Sequence, residues 1–170
     1  ISVITNPLSN LSCISELINE NNDEGGALSA FGVDYGFNGE KIDPSCRTKV
    51  LGFSLDDLFA LGFIKNKPNI IKIDVDGIED LILDGALNTL GSDECISVLV
   101  EVNDDINTQA EKVSDILLEC GFRIEERRGS PAFSGHDLYG RAHNVVAKNE
   151  IWVKSSVEMH RTADKVSALN

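Results

Sequence analysis

Ile70-Ile71-Lys72-Ile73-Asp74-Val75-Asp76-Gly77-Ile78-Glu79, continuing into Asp80-Leu81-Ile82-Leu83-Asp84-Gly85-Ala86, is the stretch around which the chain is organised. It opens as a β-branched apolar run, the pattern of a strand buried in a sheet, and the run stops at Gly77. Beyond the glycine the period changes. Ile78, Leu81, Ile82, Ala86, Leu87 and Leu90 fall at helical spacing and predict an amphipathic helix packed back on the strand. Asp74, Asp76 and Glu79 crowd the junction. In an open α/β sheet, ligands bind beyond the carboxyl ends of the strands, so chemistry is expected at this turn.

Upstream, Lys49 to Phe53 reads as a strand, and Ser54 can cap a short helix through Leu61 that Gly62 ends. Asp56 and Asp57 lie in its first turn, where carboxylates favour the dipole. Pro68 forbids helix just ahead of Ile70. Downstream, Gly91-Ser92-Asp93 makes a turn and Ile96 to Val102 is a second apolar strand. Strand, helix, strand is the right-handed crossover, which sets Asp74 and Glu101 at one edge of neighbouring parallel strands. Thr108 with Glu111 spells a capping box, and Ala110, Val113, Ile116, Leu117 and Cys120 give the next helix its buried stripe, stopped by Gly121. Phe122 to Glu126 and Asn144 to Val153 are the final strands, joined by a loop with Pro131, His136 and His143. Toward the other end, Ile1 to Thr5 reads as the end of a strand and Asn6 to Asn10 as a turn. Residues 11 to 45 hold two loop-like segments, Asn19 to Gly26 and Gly36 to Pro44, around a weakly apolar Ala27 to Tyr35; their glycines read as turns, not as cofactor loops. The tail from residue 154 is polar.

With 170 residues, 42% of them hydrophobic and 25% charged, the chain fits one globular domain with a core, here residues 1 to 153. A net charge of −13 argues against a nucleic-acid backbone or an anionic membrane as partner. No apolar run reaches the length of a membrane span. Arg123, Arg127, Arg128 and Arg141 read as a solvated face. Four cysteines without a CxxC read as reduced thiols of a cytoplasmic protein. Ile1 is not an initiator and the single methionine is Met159, so the chain is expected to be a processed or truncated piece.

The run Ile71 to Ala86 resembles the signature of the FkbM-type methyltransferases, which reads roughly K-I-D-V-E-G-x-E followed by a helix and a Gly-Ala pair. Ser54-Leu55-Asp56-Asp57-Leu58 resembles the family's T-L-D-D-L, and Val98 to Val102 its next strand, which ends in Glu. Asp76 stands where Glu is usual, keeping the charge and shortening the reach. The resemblance implies the later part of a Rossmann-like class I methyltransferase fold, a mostly parallel α/β sheet with a final antiparallel strand, truncated at its N-terminus. It also implies an irregular β excursion within residues 11 to 45, and S-adenosylmethionine as cofactor. In that family the glycine-rich turn after the first strand and the acid after the second hold the cofactor, and neither is in this sequence. The chain alone is therefore expected not to bind the cofactor tightly. Asn6, at the end of the implied third strand, is the candidate for the adenine edge, with Pro7 in place of the usual Ala.

Two readings of the acids stand side by side. Asp74 can cap the helix while Asp76 and Glu79 favour its dipole. Alternatively, the resemblance puts Asp74 at the methyl-transfer site, as orienter or base for a hydroxyl acceptor, with Glu79, Glu101 and His136 as further catalytic candidates. The spacing fails the calcium-loop template, since Gly77 comes fourth instead of sixth, so no metal is expected. The expected activity is O-methylation of a sugar or natural-product-like hydroxyl, the acceptor being a small molecule or glycan. The alternative is a noncatalytic methyltransferase-like binding or assembly module. With the implied neighbouring strands absent, Ile70 to Val75 is expected at an exposed sheet edge, the chain to self-associate, and its first 30 residues to be loosely held.

Overall fold

The computed structural model describes residues 1–19, 29–36, 41–42, 46–103, 108–129, 135–136, 142–143 and 147–155. Its first three strands, β1 (Cys13–Asn19), β2 (Ser29–Phe31) and β3 (Cys46–Gly52), pair antiparallel in the order β2-β1-β3. This is the irregular β excursion. β1 is not legible in the sequence, because Cys13-Ile14-Ser15-Glu16-Leu17-Ile18-Asn19 does not alternate cleanly and its partner lies some thirty residues away. Cys13, Leu17 and Val50 pack on the main core, while Ile18, Ala30 and Ile42 form a small cluster of their own. Residues 1–6 are exposed and form no ladder, which corrects the expected strand Ile1 to Thr5. A strand needs a partner, and pairing begins only at Leu8, which bridges Phe53.

Helix α1 (Leu55–Ala60) starts as expected: the Ser54 hydroxyl accepts from Asp57 N at 3.1 Å, and Gly62 at φ 76° ends the turn. β4 (Ile70–Ile73) follows, but the helix after Gly77 is not continuous. It breaks into α2 (Glu79–Asp84) and α3 (Leu87–Gly91) at Gly85-Ala86. The backbone of Ser9 and Asn10 lies against Gly85 so closely that a Cβ there would sit 2.2 Å from the Ser9 carbonyl oxygen. Gly85 O, for its part, accepts from Asp56 N at 3.1 Å. Asp56 itself does something local spacing could not show. Its carboxylate accepts from Asn88 N (2.8 Å), Thr89 N (2.9 Å) and Thr89 Oγ1 (2.7 Å), so it caps the start of α3 across from its own helix.

β5 (Ser97–Asn103), α4 (Gln109–Glu119), β6 (Phe122–Gly129), the short β7 (Gly135–His136) and β8 (Ala142–His143), and β9 (Ala147–Lys154) complete the chain order. The capping box at Thr108 does not form: Thr108 has helical backbone angles and its side chain makes no cap bond. The α4 stripe is as expected, with Val113 and Leu117 fully buried and Gly121 at φ 81° ending it.

The main sheet has the order β4-β5-β9-β6. β4 and β5 are parallel, while β9 pairs antiparallel with both β5 and β6, so two of the three pairings are antiparallel. The expected mostly parallel sheet is corrected to that extent. β9 inserts between β5 and β6, which leaves β4, β5 and β6 pointing one way and β9 against them. Val98, Val100 and Val102 alternate onto one face of β5 and are fully buried with Leu83, Leu90, Leu117 and Trp152 under α2, α3 and α4. Ile71 and Ile73 share that face by register, so Lys72 and Asp74 fall on the opposite one together with Leu99 and Glu101.

Arg123, Arg127 and Arg128 each pair with a carboxylate, Glu125, Glu150 and Glu126 respectively, which makes them a paired surface of the sheet. The four cysteines are free. No helix among the described residues is long and apolar enough to cross a membrane.

Candidate active site

Strand alternation puts Lys72 and Asp74 on one face, and their side chains meet, Nζ to Oδ2, at 2.6 Å. The parallel register Ile73↔Val100 then carries Asp74 beside Glu101, near enough for each carboxyl to perturb the other. The Lys72 ammonium holds Asp74 below the usual carboxylate range, against some desolvation. Burial first, then the charge and hydrogen bond of Asp74, push Glu101 up. Asp74 is therefore the more acidic of the two. Asp74 is about half exposed and reachable from solvent.

Gly77 turns the chain from β4 into α2 at φ 103°, in the left-handed region that favours glycine. Asp76, just before it, accepts from Ser29 N at 3.3 Å and so draws the start of β2 to the turn. Glu79, the first residue of α2, points inward and is 3% exposed. Its two oxygens accept from Gly77 N (3.4 Å) and Gln109 Nε2 (2.5 Å). Burial outweighs those bonds and, with Asp76 adding to it, raises the Glu79 carboxyl to about 7. Behind it, Asp80 is buried and pairs with Lys112 at 3.3 Å. The Tyr35 phenol is pushed up by burial and by the charge of Asp80, with smaller contributions from Asp34 and Glu79 opposed by Lys112.

Of the residues proposed from sequence, Asp74 and Glu101 are thus side by side on neighbouring strands, and Asp76 lies near enough to perturb both Glu79 and Glu101. Glu79 is beside them but faces the interior. Asn6 Nδ2 donates to Leu51 O at 2.9 Å, tying the first segment to β3. His136 pairs through its backbone with Ala142 in the β7–β8 hairpin, and its side chain lies outside the described residues, as do those of His143, Ser134, Pro131 and Arg141. The tail, residues 156–170, is outside them too. Among the described residues no group of three or more His, Cys, Asp or Glu is placed to hold a metal ion.

Three members of the site went unread in the sequence. Lys72 could have been found, since a strand residue two positions from Asp74 must share its face. Gln109 and Tyr35 could not, because they arrive from distant segments with no spacing that relates them to Glu79.

The family model described as Methyltransferase FkbM domain matches residues 1–124 of the chain, from the exposed first segment to the start of β6. No curated protein matches the chain, and no solved structure does.

Proposed function

The chain belongs to the FkbM methyltransferase family, and from that premise we propose that the protein carrying it transfers a methyl group from S-adenosylmethionine to a hydroxyl of a sugar or natural-product-like acceptor. The observation that carries this reading is the Lys72–Asp74–Glu101 cluster on the face of the sheet opposite the helices, where Asp74 is ionised, oriented and exposed. A carboxylate held below its usual range is a weak base but a good hydrogen-bond acceptor. Asp74 accordingly accepts from the acceptor hydroxyl and aims its oxygen, while the Lys72 ammonium fixes the carboxylate. Displacement at a methyl group depends mostly on such alignment.

S-Adenosylmethionine supplies a methyl group on a sulfonium. For its adenosyl half Asn6 is the candidate, with its Oδ1 left over while Nδ2 donates to Leu51 O. The common direction of β4, β5 and β6, with β9 reversed between β5 and β6, supports a Rossmann-like class I sheet. The net charge of −13 supports a neutral acceptor without nucleic acid or membrane, and the four free cysteines support a cytoplasmic setting.

Asp74→Asn in the protein carrying this chain tests the reading, with labelled S-adenosylmethionine and a panel of monosaccharides and polyketide alcohols. The expected result is a fall of about 10²-fold in kcat with donor affinity unchanged. Wild-type turnover in the variant would reduce Asp74 to its pairing with Lys72, since α2 starts at Ile78 without a side-chain cap and the expected capping by Asp74 does not form; no transfer by the wild-type protein to any acceptor would favour the noncatalytic module.

A further inference from the structure

We propose that Gln109 and Glu79 are positioning residues for Asp74 and Asp76, a buried bridge that runs from the first residue of α4, through the first residue of α2, to the backbone of the Gly77 turn. The inference rests on the reading of Asp74 as the residue that faces the acceptor. Both side chains are almost wholly removed from solvent, and both Glu79 oxygens are occupied, one by Gly77 N and one by Gln109 Nε2. The turn so held is short. Asp74 and Asp76 lie within three residues of Gly77, so any shift of that amide moves the carboxylates that flank it.

Packing alone would not call for this pair. Two apolar side chains of similar volume would fill the space between α2 and α4 without the cost of taking a carboxyl group out of water. What apolar side chains cannot do is hold a backbone N–H in one direction. Gln109 is also suited to either protonation state of its partner, because its amide offers a donor to the carboxylate and an acceptor to the neutral acid. The charged and titratable groups around Glu79 are Asp76, which raises it, the Tyr35 phenol that Glu79 in turn raises, and the adjoining Asp80–Lys112 pair. The bridge spans two elements brought together only by the fold. A change at Gln109, far along the chain from the acids, would therefore be felt at the site.

Gln109→Leu and Glu79→Gln in the full chain provide the test, read by amide hydrogen exchange and, in the protein carrying the chain, by steady-state methyl transfer. In Gln109→Leu, exchange at residues 76–80 is expected to rise about tenfold while β5 and the second half of α4 stay at wild-type rates, as loss of one buried hydrogen bond predicts. The kcat should fall with the acceptor KM less changed. Glu79→Gln can still bond Gly77 N and Gln109, so protection and turnover should largely return. Unchanged exchange at 76–80 in Gln109→Leu would overturn the proposal, as would an equal rise throughout β5 and α4, or a Glu79→Gln variant as loose as Gln109→Leu. Faster local exchange in a protein that transfers no methyl group would remove the transferase reading and leave the bridge standing.

Discussion

Glu79 places an ionisable group in the core, and the sign of its effect on stability follows from its raised carboxyl. The folded protein keeps a proton up to about pH 7 that a carboxyl at its ordinary 4.5 would already have lost. Stability is therefore greatest at and below the ordinary value, falls as pH rises from there to 7, and is flat above, by an amount on the order of 3 kcal/mol from this group. Glu101, also raised, acts with the same sign, whereas Asp74, which is lowered, acts only at more acid pH and in the opposite direction. Urea unfolding at pH 5 and pH 8 measures the difference, and Glu79→Gln should remove most of it. The same pH slope in both proteins would show that Glu79 does not titrate in this range. At this scale the sequence was partly legible: a strand-end acid and the acid closing the next strand are visible as neighbours once the crossover is inferred. That Glu79 turns inward while Asp74 stays exposed was not visible, since both stand at the same turn.

The elements join at Gly85, where a single helical pattern is divided. Ile78, Leu81, Ile82, Ala86 and Leu90 keep their spacing, and all but Leu81 are buried, yet the backbone of Ser9 and Asn10 occupies the place where a continuous helix would carry a side chain. Asp56 makes the divided arrangement stable by capping α3 from α1 with three hydrogen bonds. Asp56→Ala should lower unfolding stability by about 2 kcal/mol, the magnitude for a charged acceptor lost from partly buried amides, with Asp56→Asn falling between the two. Chemical denaturation would check this, and an Ala variant as stable as wild type would mean that water replaces the carboxylate without cost. The carboxylates at Ser54-Leu55-Asp56-Asp57 were legible as helix-start residues; which helix Asp56 serves was not, because its partners lie more than thirty residues on.

On the scale of the whole molecule, β4 stands at the end of the main sheet and pairs only with β5 among the described residues. Ile70 is 67% exposed, and Leu61, Phe63 and Ile96 are exposed large apolar side chains in neighbouring segments of the chain. A strand with one unpaired edge and apolar side chains is a template for association. The 170-residue chain should accordingly self-associate, and Ile70→Lys should shift it toward monomer in sedimentation velocity runs at matched concentration. A monomeric wild-type chain with slowly exchanging amides throughout residues 70–73 would show that the edge is protected by other means.

Periodicity and turn chemistry in the sequence determined the strand-turn-helix at Ile70 to Leu83, the Ser54 cap, the α4 stripe and the adjacency of Asp74 and Glu101, because each follows from side chains a few residues apart or from the handedness of one crossover. Tertiary structure alone decided the rest. β1 is stabilised by β3 across a long gap, the helix after Gly77 is cut by a segment from the start of the chain, and β9 enters the sheet between two strands that precede it. Glu79 is buried because α4 supplies Gln109. Each of these outcomes depends on packing and hydrogen bonds between segments distant in the chain, and local spacing carries no information about such partners.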